Sequence, residues 1–161
     1  MRFKIKALVP VAALLAGLIL APLPAAQAQS ENAIQAGIPA KNSRCVNHAS
    51  RSAARVPFAS PAFNKRYASC QMLEKYKWGS KEYGCLVTLW NHESGWRVNA
   101  HNRSSGAHGI PQSLPGSKMA SAGPNWYNNP FTQVNWGLKY IKSRYNSPCK
   151  AWGFWQTHHW Y

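Results

Sequence analysis

Four side chains in this 161-residue chain carry a carboxylate: Glu31, Glu74, Glu82 and Glu93; there is no aspartate. A reaction that needs a carboxylic acid must draw on one of them, and Glu93 has the spacing that suits such work. In "CLVTLWNHESG" it follows Trp90 by three residues and Leu89 by four. One helix face therefore carries Leu86, Leu89, Trp90 and Glu93. A carboxyl on an inward stripe is partly desolvated, which disfavours its charged form and raises its pKa. Gly95 is a fit residue to end the helix, and the partial negative charge of a helix C-terminus acts in the same direction. These are the properties of a general acid. The plain alternative is a boundary glutamate paired with a nearby lysine or arginine.

The surroundings of Glu93 suggest a substrate. Residues 99–129 are rich in Gly, Ser, Asn and Pro, and aromatics are close by in sequence. Flat rings for stacking on sugar faces, with amides and hydroxyls for sugar hydroxyls, are what a polysaccharide site needs. A standard glycosidase positions two carboxyl groups. Here Glu31 falls in an N-terminal arm, and Glu74 lies beside lysines on another helix. Glu82 precedes Glu93 by eleven residues, about 16 Å along an unbroken helix. The expected mechanism has one carboxylate, which protonates the leaving oxygen and then deprotonates a nucleophile supplied by the substrate itself.

Three helices should position these groups. "PAFNKRYASCQMLEKYKWG" sets Phe63, Tyr67, Cys70 and Leu73 at helical spacing, with Gly79 as its end. "KEYGCLVTLWNHESG" is the helix of Glu93. "NPFTQVNWGLKYIKSRY" opens with Asn129 as N-cap and Pro130 at the first position, and carries an apolar stripe of Val134, Leu138, Ile141 and Tyr145. Between the second and third helices, irregular turns and a short hairpin are expected. All eight tryptophans lie at position 78 or later. The folded domain is therefore read as 61–161, about 100 residues, enough for one small core.

Residues 1–28 read as a secretory signal peptide. "MRFKIK" is a basic start, "ALVPVAALLAGLIL" an apolar stretch short for a membrane span, and Ala26–Ala28 a small-x-small cleavage site. Residues 29–60 read as a basic, Ala/Ser-rich arm or linker, tied down in part by Cys45. Export would take Arg2, Lys4 and Lys6 from the formal net charge of +15 and leave +12. Such a charge concentrates anionic polymers, and for a secreted or wall-associated protein acidic wall polymers or lipid headgroups are the expected partners. Export argues against a nucleic-acid partner, and the low amphipathicity of the arm against stable membrane insertion. The four cysteines, at 45, 70, 85 and 149, point to disulfides in an exported chain. Of three possible pairings, Cys45–Cys70 with Cys85–Cys149 is favoured. No cofactor and no metal are expected: there is no CxxC, and His92, His158 and His159 suit a surface or a site lining better than a ligand set.

The stretch "CLVTLWNHESGWRVNAHNRSSGAHGIPQSLPGSKMASAG" resembles bacterial lytic transglycosylase domains of lysozyme-like fold, of the secreted aggregation-promoting-factor C-terminal-like type, and more distantly resuscitation-promoting factors. The likeness continues through "NWGLKYIKSRYNSPCKAW" to a terminal "WY" and covers roughly residues 61–161. The family pattern runs Glu-Ser, Asn-Pro, an alanine with a polar residue, then Gly-Leu-Met-Gln. Glu93-Ser94, Ala100, Asn102 and Gly109-Ile110-Pro111-Gln112 match it, whereas Arg97-Val98 departs from Asn-Pro. The departure should alter the turn after the helix and keep the acid.

The resemblance implies a mainly α fold (α+β, lysozyme-like) and cleavage of the β-1,4 bond between N-acetylmuramic acid and N-acetylglucosamine in peptidoglycan, to a 1,6-anhydro product. It implies Glu93 as the catalytic group and Tyr140 as the tyrosine of the later helix, and it supports the Cys85–Cys149 pair. Ser94, Asn102 and Gln112 are expected to bind sugar. Trp126, Trp152 and Trp160 are stacking candidates, while Trp90 and Trp136 are expected in the core. The partners are then peptidoglycan strands, acted on by a monomer. A muramidase using water, and a wall-binding or aggregation-promoting module with little turnover, are the alternatives.

Overall fold

A computed structural model describes residues 44–45 and 57–161. The signal-peptide expectation, Glu31 and most of the arm lie outside the described residues. Among the described residues from 57 onward, four α-helices form the domain: α1 (Pro61–Gln71), α2 (Ser80–Ser94), α3 (Pro130–Tyr145) and α4 (Pro148–His158). No strand occurs among the described residues. The hairpin expected between α2 and α3 is reduced to two isolated bridges, His101 with His108 and His108 with Ser113. Gly106, Gly109 and Gln112 all have positive φ there, and each turns the chain away from an extended course. No helix among the described residues is long and apolar enough to cross a membrane.

α1 starts where its caps dictate. Ser60 accepts a bond from the Phe63 N–H at 3.3 Å, and Pro61 opens the first turn. Phe63 and Tyr67 are buried, as their spacing predicts, but Leu73 is 59% exposed. The cause is a π-turn, Met72–Tyr76, that continues α1. A π-turn inserts extra chain into the helical repeat and rotates the residues beyond it about the axis. Met72 takes the inward place instead of Leu73. Lys77, in left-handed conformation, ends the element two residues before Gly79.

The core lies between α1, α2 and α3. Phe131 sits edge-on to Tyr67 at 4.7 Å and to Phe63 at 5.8 Å. Val134, Leu138 and Ile141 are fully buried, with Tyr145 half-buried at the end of their stripe. Asn129 caps α3 by accepting from the Phe131 N–H at 3.0 Å. α3 crosses α2 closely enough that a Cβ at Gly137 would meet the Trp90 ring at 2.6 Å, so only glycine fits. Trp90 is in the core as expected; Trp136 is half-exposed and stacked on Tyr140 at 5.1 Å.

α4 was not expected from the sequence, yet it forms the most extensive helix pair of the domain, with α2. Cys85–Cys149 joins the two, and Cys45–Cys70 fixes the arm to α1, leaving Cys45 buried.

Candidate active site

Glu93 stands in the last turn of α2. Gly95, at φ 61°, reverses the chain, with its N–H on the Asn91 carbonyl and that of Trp96 on Trp90. Trp96 also has positive φ, which costs a bulky residue roughly 1–2 kcal/mol. Its burial offsets this: the ring packs edge-on to Trp90 at 4.9 Å and donates to the Val87 carbonyl. Arg97, where the resemblance would have asparagine, donates from Nε to the Ser94 carbonyl at 2.9 Å and caps the helix end. Val98, in the proline position, is buried. With this pair the chain turns directly after α2, and the Glu93 carboxyl lines the cleft.

The Glu93 carboxyl is held by α4. Trp155 donates its indole N–H to Glu93 Oε1 at 2.7 Å. Burial pushes the Glu93 pKa above its ordinary 4.5, and the Trp155 bond, which favours the charged form, pulls it partly back. The stripe geometry anticipates the direction of this shift. Neither the ion pair of the plain alternative nor a second acid accompanies Glu93 among the described residues. Among the described residues, Glu82 accepts the Cys149 N–H at 2.8 Å at the other end of α2, and Glu74 pairs with Arg44 at 3.3 Å.

The carboxyl opens into a cleft of about 490 Å³. Asn102, Gln112, Tyr140 and Trp160, all anticipated, line it with Glu93. Asn102 is committed in part: its Oδ1 accepts from Ser104 N, Ser104 Oγ and Ser105 N, which leaves its amide nitrogen as donor. Gln112 donates from Nε2 to the Gly109 and Ala100 carbonyls, which leaves its oxygen as acceptor. Burial raises the Tyr140 pKa, so its phenol remains a proton-bearing donor. Trp160 is about half exposed, a ring face open to solvent.

Three anticipated residues are placed elsewhere. Ser94 is buried; its hydroxyl donates to the Ile110 carbonyl at 2.7 Å and accepts the Trp96 N–H, so it braces the turn of Glu93 rather than meeting the cleft. Trp126 packs against His108 and Tyr127, away from the cleft lining. Trp152 stacks on His92 at 5.3 Å and on Trp155 at 5.1 Å, behind the residue that holds Glu93.

Three others escaped the sequence reading. Trp155 is one; Ser147-Pro148 signals the start of its helix, but nothing in the chain signals the pairing with Glu93. Tyr161 is the second. Its phenol accepts from Trp90 Nε1 at 2.7 Å and donates to the Pro111 carbonyl at 3.0 Å, tying α2 to the turn that carries Gln112. Burial, with the charge of Glu93 next, drives its pKa well above 10.0. The third is Gln133. It is fully buried, accepts from the Ile110 N–H and donates to the carbonyls of Val98, Trp126 and Tyr127. A Cβ at Gly109 would strike it at 2.6 Å, and Gly109 has φ 77°, so glycine is required there on both counts. Gln133 thus holds both loop segments around the cleft.

Among the described residues, no three His, Cys, Asp or Glu side chains gather as a metal site. The arrangement offers one shielded acid, neutral donors and acceptors, the guanidinium of Arg144 and an open ring at the rim. No protein-family signature, no curated protein and no solved structure matches this chain.

Proposed function

We propose that the chain is a secreted peptidoglycan lytic transglycosylase in which Glu93 serves as the single acid and base. The observation that carries this reading is one half-buried carboxyl of raised pKa, bonded on one oxygen by Trp155 and lining a polar-aromatic cleft that no other described glutamate lines. A glycan strand lies in the cleft with the bond between N-acetylmuramic acid and N-acetylglucosamine beside Glu93. The carboxyl gives its proton to the glycosidic oxygen, and the bond from that oxygen to muramyl C1 breaks. The muramyl C6 hydroxyl closes on C1, and the Glu93 carboxylate takes the hydroxyl proton. The products are a 1,6-anhydro-muramyl end and a new N-acetylglucosamine end, with no water consumed. Glu93 finishes as it began.

A lone carboxylate suits this route because the second glycosidase carboxylate would serve as nucleophile or activate water, and here the substrate brings its own nucleophile. Tyr140, Gln112 and Asn102 supply donors and an acceptor for hydroxyl and acetamido groups, and Trp160 a stacking face. Two disulfides, with the basic and apolar start of the sequence, support action outside the cytoplasm. The lysozyme-like architecture belongs to this proposal.

Mass spectrometry of muropeptides tests the reading. Purified peptidoglycan is digested with the protein and with Glu93→Gln. Products lighter by one water than hydrolytic fragments, and missing with the variant, are expected. Reducing-end products lost in the variant would replace the proposal with a muramidase. Wall binding by both proteins without products would leave a non-catalytic module.

A further inference from the structure

We infer that Arg144 makes one rim of the Glu93 cleft a carboxylate-binding subsite, which selects glycan strands carrying anionic substituents over neutral ones. The inference rests on the proposed function for the identity of the polymer, and on the geometry for the charge it selects.

Other described lysines and arginines bond to their own surroundings, as Arg97 does to the Ser94 carbonyl and Arg44 to Glu74. Arg144 differs in three respects. Among the described lysines and arginines it alone lines the Glu93 cleft. It is also held in place: its Nε donates to the Tyr145 hydroxyl at 3.2 Å, and its guanidinium lies 5.7 Å from the Tyr145 ring and 5.6 Å from that of Trp160. Two aromatic faces and one hydrogen bond limit the rotamers of a side chain that would otherwise be free. Finally, no acid among the described residues pairs with it. The described ion pair is Arg44–Glu74 on another face, and the carboxyl within the cleft, Glu93, is bonded to Trp155.

The consequence is chemical. With Nε engaged, the two terminal nitrogens remain as a planar pair of donors, the shape that a carboxylate accepts in bidentate fashion. The guanidinium is the one Lys or Arg charge among the described residues that line this cleft, and it favours an anion at the rim. A strand seated with a sugar face on Trp160 would bring its substituents to this guanidinium. A neutral glycan gains nothing from it. On a muramyl strand the carboxylate comes from one of two sources: the lactyl group exposed when the peptide stem is absent, or the stem itself.

Binding is measured by titration calorimetry in the Glu93→Gln background, so that cleavage does not intervene, at about 0.15 M salt to screen the general field. The ligands are soluble strands bearing stems, strands freed of stems, and each of these with its carboxylates converted to neutral amides. Glu93→Gln protein should bind the anionic strands about tenfold tighter than the amidated ones. Adding Arg144→Gln should erase that ratio, Arg144→Lys should keep part of it, and Lys142→Gln should leave it intact. Discrimination confined to stem-bearing strands would support the subsite and place the carboxylate on the stem.

Equal binding of anionic and amidated strands would overturn the inference. So would a ratio that survives Arg144→Gln, or one that Lys142→Gln erases equally, which would mean a diffuse field. Urea unfolding of Arg144→Gln should match the parent, since the side chain is exposed. Failure of the function reading is distinct: a protein that gives no anhydro products yet retains the Arg144-dependent ratio keeps the subsite and loses the catalysis. Binding to none of the strands would sink both.

Discussion

Helix α2 carries a glutamate near each end, and α4 meets both. Glu82, in the first turn, accepts the backbone N–H of Cys149. Glu93, in the last turn, accepts the indole N–H of Trp155. The bonds have nearly the same length, 2.8 and 2.7 Å. What differs is the setting. Glu82 sits at the helix end whose dipole favours a negative charge, beside the Cys85–Cys149 bridge, and supplies an orphan N–H of α4 with an acceptor. Glu93 sits where the dipole opposes its charge, is shielded by aromatic rings, and lines the cleft. The same side chain is thus a clamp at one end and, in the proposed reaction, a proton carrier at the other. The distinction lies in dipole sign, desolvation and access, not in hydrogen bonding.

The comparison breaks first on Glu93→Gln. We expect the loss of at least about a thousandfold in glycan cleavage, measured as anhydro-product release, with Glu82→Ala near the parent rate. Stability should move in the opposite sense. Burial raises the folded-state pKa of Glu93 above its ordinary 4.5. The stability linked to its neutral form is complete below that value and is lost as pH rises through the folded pKa. Glu93→Gln should therefore melt higher than the parent at about pH 7 and match it near pH 3. A variant that is less stable at neutral pH would refute the desolvation argument.

Next in size is the covalent anchor at the Glu82 end. Replacing Cys85 and Cys149 by serine opens a link spanning 64 residues, with an expected cost of about 4 kcal/mol in urea unfolding. The pH profile of the remaining activity should be unchanged, because that end of α2 does not tune the acid. A shifted profile would mean that the two ends are coupled.

Trp155→Phe keeps a ring on His92 and Trp152 and deletes the N–H to Glu93. Turnover should fall about tenfold, the worth of one positioning hydrogen bond. The bond favours ionised Glu93, so its loss should raise the pKa further and move the high-pH fall in activity upward. An unmoved limb would reduce Trp155 to packing. The smallest effect is that of Glu82→Ala on stability, about 1–2 kcal/mol from the orphaned Cys149 N–H. A neutral result would show that water replaces the carboxylate there.

The sequence makes the first end of this comparison harder to see than the second. Glu93 stands on a regular 3-4 stripe with Leu86, Leu89 and Trp90, and Gly95 marks the helix end; periodicity alone gives its burial. Asn129-Pro130 marks the start of α3 equally plainly. Leu73 misleads, because a π-turn shifts the register and spacing assumes an unbroken helix. α4 is obscure because "PCKAWGFWQTH" has rings on several sides and a glycine in the middle, with no clear apolar face. Without α4 the partners of both glutamates disappear. Ser94 reads as polar and therefore accessible, yet a chain reversal needs an internal acceptor, and its hydroxyl is used for that. Gln133 and Tyr161 act by bonds to backbone carbonyls far along the chain, and no local spacing encodes such bonds.

The Cys85–Cys149 bridge has one more consequence, for a chain that meets a protease. The loop that frames the cleft, residues 99–129, lies wholly between the two cysteines. A single cut there severs the polypeptide but not the molecule: the pieces carrying α2 and α4 remain covalently joined. Release of a fragment would require a second cut within the same span or reduction of the bridge. The bond that anchors α4 to α2 therefore also makes a nick in the cleft loop a change of chain connectivity that sheds no part of the molecule.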